Sequence, residues 1–241
     1  LLNKATVKVE DTHEVLSQDL RNYLQQKQNT EILGFWKLQL GIYNTASQDT
    51  AKWTSRNARK IGEPPVIFSE ELTERSMQQL ENAMDNKGYF QAEIDTTKEV
   101  KDKKLNLTYH VTANTPYHIR NYTISFPNAD LQQIAASERF RLLHEGMRFD
   151  VDAMNQERQR VASAMRRNGC YYFDKELIRF VADTTWGRRQ VDLTICLQDY
   201  FSQLPEEEQK MIFRHYKIAN VYFHMDYEVN RIPEGEKLYS S

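Results

Sequence analysis

The stretch NAMDNKGYFQAEI, Asn82 to Ile94, returns as SAMRRNGCYYFDKEL, Ser163 to Leu177. In both, an Ala-Met pair closes a helical pattern, a glycine stops it, and aromatic residues open an alternating one. Sliding the chain by 81 positions lays Phe68 on Phe149, Leu80 on Val161, Ala83 on Ala164, Met84 on Met165 and Gly88 on Gly169. A repeat in register fixes architecture before any single residue does.

Upstream of the glycines, Met77, Leu80 and Met84, then Met154, Val161 and Met165, fall at helical steps and give each helix one apolar stripe. Ser69 before Glu70 and Glu71, and Asp150 before Asp152, supply cap oxygens and carboxylates at the positive helix end. Gly88 and Gly169 supply the left-handed stop. Downstream, KLNLTYHV and QVDLTICL put Leu105, Leu107, Tyr109 and Val111, then Val191, Leu193, Ile195 and Leu197, on one face of a strand. FQAEIDTT and ELIRFVAD precede them, joined through turns at KDKK and TTWGRR, so each repeat ends in a β-hairpin.

The fronts match as well. ATVKVED and HIRNYTISF alternate as strands, followed by short helical steps at Leu20, Tyr23, Leu24 and at Leu131, Ile134, Ala135, with Ser17 and Asn128 as expected N-caps. A third front, YKIANVYFHMD from Tyr216, repeats YHIRNYTISF from Tyr117. The expectation is an α+β chain of two units, each strand, helix, helix, strand, strand, with a three-stranded mixed sheet packed against two helices. The first unit covers 1–115 with an insert at about 34–65, the second 116–200, and 201–241 hold a linker and the first strand of a third.

With 241 residues, 40% hydrophobic, 27% charged and a net charge of −2, the chain has the composition of a folded protein and no basic field for nucleic acid. Its apolar runs fall well short of the roughly 20 residues of a membrane-spanning helix. The opening LLNKATV, without Met or a basic, apolar signal, reads as a trimmed start. Cys170 and Cys196 lack metal spacing and read as unpaired packing residues, a hairpin-end bridge being the lesser alternative. The six histidines stand apart, and eight glycines leave little material for a phosphate loop. No metal, cofactor, small-molecule substrate or catalytic residue is expected.

In this order of elements, the sequence resembles the POTRA domains of the BamA and TamA superfamily of outer-membrane assembly factors. The run TPYHIRNYTISF looks like that family's inter-domain join, with Asn114 where a glycine is usual. LLNKATVKVED, EILGFWKLQLGIYN and RKIGEPPVIFSEELTERSMQQL are most similar to TamA-like lipoproteins of Bacteroidetes. The resemblance implies the periplasmic portion of an outer-membrane protein, preceding its own C-terminal β-barrel. Such an arm binds unfolded outer-membrane client proteins and accessory partners, a TamB-like partner among them, without enzymatic chemistry. The family mode is β-augmentation on the second strand of each unit. That implicates Gln91, Glu93 and Asp95 in Gln91 to Thr97, and Glu176, Ile178 and Phe180 in Glu176 to Ala182. Two alternatives are the arm of a two-partner secretion transporter and a small α+β enzyme of duplicated ferredoxin-like halves, which would need a convergent polar cluster.

On the residues alone, Glu93, Asp95 and Lys98 guard the first edge, while Leu177, Ile178, Phe180 and Val181 make the second more adhesive, unless they face the helices or a neighbouring unit. Trp36, Tyr43 and Trp53 sit in a locally basic insert and are the candidates for a membrane or partner surface, or for packing on the domain. Pro116 stiffens the short first join. The segment QDYFSQLPEEEQKMIFRHY, Gln198 to Tyr216, is long and acidic enough to be expected as a hinge.

Overall fold

The computed structural model describes residues 1–29, 43, 63–136, 141–223 and 239–240. The first repeat runs β1 (Leu2–Val9), α1 (Ser17–Leu20) with a 3-10 turn at Arg21–Tyr23, α2 (Glu70–Asn86), β2 (Glu93–Lys101) and β3 (Lys104–Thr112). Its sheet has the order β1-β3-β2; β1 runs parallel to β3 and β2 antiparallel to it. The second repeat runs β4 (His118–Ser125), α3 (Ala129–Ala135), α4 (Val151–Arg167), β5 (Ile178–Asp183) and β6 (Gln190–Leu197), with sheet order β4-β6-β5. The fold is α+β with two three-stranded sheets, and its element order is the one the sequence repeat predicts.

The periodicities do what they promise. Leu80, Ala83 and Met84 of α2 lie in one core with Leu107, Tyr109 and Val111 of β3, and Val161 and Met165 of α4 lie in a second core with Ile178 and Ile195. Each of these side chains removes apolar surface from water at about 25 cal/mol per Å². The stop signals match in detail. Gly88 has φ +85° and Gly169 φ +101°. The amides of Tyr89 and Gly88 donate to the Met84 and Asp85 carbonyls, and those of Cys170 and Gly169 to Met165 and Arg166. Both are the paired bonds of a Schellman cap, closing the orphan carbonyls of the last turn. Asp102 and Lys103, with φ of 50° and 60°, form the two-residue tip between β2 and β3.

Several expectations are corrected. Ser17 is the first residue of α1, capped by Leu16, and its Oγ instead accepts the Val9 amide at 3.3 Å. Tyr23 is exposed, because the helix tightens into a 3-10 turn there and rotates the ring off the Leu20 and Leu24 face. The segment after Gln198 is not a loose hinge: it folds as a 3-10 turn (Asp199–Gln203) and α5 (Glu206–Phe213), and its Phe201, Leu204, Ile212 and Phe213 pack on the second core. Apolar residues inside the acidic run hold it there. The third front becomes extended at Tyr222, later than expected, with Tyr222–Phe223 (β7) paired to Tyr239–Ser240 (β8). Trp36 and Trp53 lie outside the described residues; Tyr43 is helical and half-buried. Both cysteines are free, and burial pushes the Cys170 thiol up.

By contact the chain divides into two compact units. One comprises Leu1–Asn121, Glu145–Asp152 and Asp183–Asp192; the other comprises Tyr122–His144, Ala153–Ala182 and Leu193–Ser241. Among the described residues no helix is long and apolar enough to cross a membrane.

Candidate functional site at the sheet edges

A three-stranded sheet has two edges, and whether each is open is a question of where its outward amides and carbonyls go. The β1 edge is occupied at three of its outward amides. The Leu2 amide donates to the Val66 carbonyl at 2.8 Å, Ala5 to Gln28 Oε1 at 3.1 Å, and Val9 to Ser17 Oγ. Gln28 and Ser17 thus act as surrogate strand partners. The β2 edge differs. All nine residues of β2 pair with β3 on one side, from Glu93 opposite Thr112 to Lys101 opposite Lys104, and among the described residues no hydrogen bond engages their other side.

Side chains flank that backbone without covering it. Ile94 enters the core, and Lys98 pairs with Glu70 while its ammonium lies 5.4 Å from the Phe68 ring centre. Past them Val100 is 70% exposed, so β2 outruns the helical layer. On the opposite face Thr97 bonds His110 Nε2 at 3.0 Å, and His110 Nδ1 meets Glu10 at 2.8 Å. Glu93 and Asp95 are exposed on this strand. Gln91 is not on the strand: it sits in the turn before it, where its carbonyl accepts from Asn114 Nδ2 at 2.8 Å and its Oε1 from Arg189. Asn114 holds φ +58° and its amide donates to Asp11. A left-handed residue is needed there, which asparagine tolerates better than most.

The β5 edge is shorter, six residues, and its apolar side chains largely serve the core. Ile178 is fully buried, and Phe180 packs against the same core, 6.3 Å from the Tyr122 ring. Arg179 pairs with Asp199 at 2.5 Å. Glu176 belongs to a 3-10 turn ahead of the strand, where its carboxylate accepts from Arg158 and its carbonyl from the Tyr200 hydroxyl. The outward apolar remainder is Val181, 43% exposed.

Two polar sets escaped the sequence reading. In the first compact unit, Arg120 forks onto both oxygens of Asp192 while its guanidinium lies 3.8 Å from the centre of the Trp186 ring. The Arg120 bond holds the Asp192 carboxyl below its usual range. The TTWGRR turn thus also supplies a ring that packs on Arg120. In the second, the fully buried Glu157 accepts twice from Arg160 at 2.8 Å, and from the Tyr122 hydroxyl and Leu142 amide at 3.0 Å. Burial first, and the Glu157 charge next, push the Tyr122 hydroxyl up. The available signal was a Glu and Arg three residues apart beside Met154 and Val161, on the stripe that points inward. The Glu157 carboxylate is saturated with internal bonds. Among the described residues no group of acids, histidines and cysteines could hold a metal ion.

Residues 5–114 match the family model POTRA, described as surface antigen variable number repeat. The chain is also similar to solved structures. POTRA3-5 of BamA from Haemophilus influenzae aligns at 14% identity and TM-score 0.40, covering 82% of this chain and 66% of that one. BamA from Haemophilus ducreyi lacking POTRA domains 1-3 aligns at 14% and 0.38, covering 82% and 29%. POTRA1-2 of the periplasmic domain of Omp85 from Anabaena aligns at 12% and 0.35, covering 82% and 95%. The chain spans less than two thirds of the length of either BamA structure. No curated protein matches it.

Proposed function

We propose that this chain is the periplasmic arm of an outer-membrane β-barrel assembly or translocation factor, and that it takes up extended client polypeptides by strand addition along β2. The observation that carries this reading is the asymmetry of the first sheet. Its β1 edge is occupied at the Leu2, Ala5 and Val9 amides, whereas the β2 edge offers its outer backbone along nine residues. Main-chain bonds bind without regard to sequence, as a handler of many unfolded clients requires. The POTRA match over 5–114 supports the setting, and the TamA-like sequence runs support the finer assignment, with a C-terminal barrel and a TamB-like partner as companions.

The β5 edge serves as a second, shorter site in this reading. Its apolar residues stabilise the domain, so selectivity there rests on Val181 and the strand backbone. The test is site-specific photo-crosslinking with benzoylphenylalanine at Thr97, Val181 or Lys4, using a urea-diluted outer-membrane barrel polypeptide as probe. Crosslinks from 97, fewer from 181 and background from 4 are expected. Equal yields at 4 and 97 would remove edge addition.

A further inference from the structure

An irregularity in β1 sets one lysine apart from the rest of the strand. Leu2 stands opposite Leu105 and Lys4 opposite Asn106, so two steps of β1 answer one step of β3, which is a β-bulge. Asn3 takes the place beside Asn106, where its Nδ2 donates to Asn106 Oδ1 at 2.8 Å. Lys4 instead lines an open notch of about 380 Å³, together with Arg21 and Asn22 of the 3-10 turn, Lys27 and Gln28. Ala5 and Leu24, both buried, form its floor. All of these residues belong to the first compact unit.

The wall that carries Lys27 and Gln28 is pinned on both sides. Gln26 and Asn29 are 4% and 1% exposed. Gln26 Oε1 accepts the Ser69 amide at 3.2 Å, and Asn29 donates to the Pro64 carbonyl at 2.8 Å and accepts the Val66 amide at 3.3 Å. Gln28 Oε1 accepts the Ala5 amide at 3.1 Å, so what Gln28 has left to offer is its Nε2 donor. The cations are unspent too. Among the described residues no carboxylate pairs with Lys4, Arg21 or Lys27, and none lines the notch. Three positive charges thus gather round one space in a chain whose net charge is −2.

We infer that this notch binds a phosphomonoester group, held by Lys4, Arg21 and Lys27 with the Gln28 amide as a fourth donor. A phosphomonoester carries close to two negative charges and three terminal oxygens at neutral pH, which match this set of donors. A carboxylate, with one charge and two oxygens, leaves part of the set unpaired. The notch volume falls among those of small-ligand sites, roughly 300–1,000 Å³, and Ala5 and Leu24 give the carbon body of the ester an apolar floor. Soluble phosphate esters and the headgroup of phosphatidic acid both present this group. The site is separate from the β2 edge, and its failure would leave strand addition untouched.

The test is an amide-shift titration of the full chain with glycerol 3-phosphate at constant ionic strength. Saturable shifts at Lys4, Ala5, Asn22 and Gln28 are expected, with Kd about millimolar, and acetate is expected to bind at least about fivefold more weakly. Lys4→Gln and Arg21→Gln, both at exposed positions, should each weaken binding about fivefold, and the double variant about tenfold or more. Lys8→Gln removes the same charge from the same strand outside the notch, and should change nothing. Co-sedimentation with phosphatidylcholine vesicles with and without phosphatidic acid separates the two sources. Retention that needs phosphatidic acid and is lost in the double variant identifies the lipid headgroup, whereas glycerol 3-phosphate binding without retention identifies a soluble ester. Neither binding nor retention, equal affinity for acetate, or an equal loss in Lys8→Gln would overturn the assignment.

Discussion

Alanine at Gly88 and alanine at Gly146 should behave very differently, although the two glycines share a conformation. Their φ values are +85° and +83°, and both lie in the first compact unit. The left-handed backbone costs any L-residue about 1–2 kcal/mol. At Gly146 that is the whole cost, because an added Cβ meets nothing within 4 Å. At Gly88 the same Cβ falls 2.5 Å from the backbone carbonyl oxygen of Phe149, where ordinary contact begins near 3.4 Å. Relief requires moving Phe149 away, which strains the bond from its amide to the Tyr117 carbonyl. Overpacking of this kind costs about 1–3 kcal/mol, and a weakened main-chain bond about 0.5–1.5 kcal/mol. Gly88→Ala should therefore lose about 2.5–6.5 kcal/mol against about 1–2 kcal/mol for Gly146→Ala. Urea unfolding followed by tryptophan fluorescence, with the slope unchanged between variants, reads the difference as a shift of midpoint. Equal midpoints for the two variants would refute the reasoning, since they would mean that the Phe149 carbonyl does not fill the space beside Gly88.

Removing Glu157 should be severe in the second compact unit. Glu157→Leu strands Arg160, the Tyr122 hydroxyl and the Leu142 amide in a buried site, an expected loss of about 3–5 kcal/mol, and a urea midpoint within error of the parent would count against the buried network. Asp192 makes a pH prediction with a definite sign. Its folded-state carboxyl is held below the usual range by Arg120, so its contribution is present above the unfolded value near 3.9 and is lost as pH falls through the depressed native one. Asp192→Asn should flatten the acid limb of stability against pH, and an unchanged acid limb would dismiss the pairing.

The parts of the fold legible in the sequence were those that depend on near neighbours. Gly88 and Gly169 could be recognised as stops because a Schellman cap needs a left-handed residue at one fixed place after the last apolar turn. The strand faces followed from alternation alone. What failed depended on partners far along the chain. Ser17 looked like a cap, but the Val9 amide across the sheet claimed its hydroxyl. The run from Gln198 to Tyr216 looked like a hinge because its acids are conspicuous, whereas Phe201, Ile212 and Phe213 are what fix its position. The stacking of Trp186 on Arg120, 66 residues earlier, has no local signal at all.

The same limit bears on the comparison of the two edges. Apolar residues on ELIRFVAD suggest an adhesive strand, but adhesion of an edge is a property of its in-plane amides and carbonyls, and side chains point out of that plane. Ile178 and Phe180 therefore report the core beneath β5. The charges on β2 likewise stand above and below its hydrogen-bonding line: Lys98 is drawn to Glu70 on the helix side, and Thr97 is held to His110 on the other. These pairs guard the faces of the strand and leave its line of amides free. A hydrophobic client would then gain little from the β2 side chains and much from its backbone, and substitution of Glu93 or Asp95 should alter salt dependence of binding more than its extent. β1 shows how an edge is occupied, by a side-chain oxygen or a loop carbonyl on an outward amide. The described residues supply these at Gln28, Ser17 and Val66 and supply none along β2.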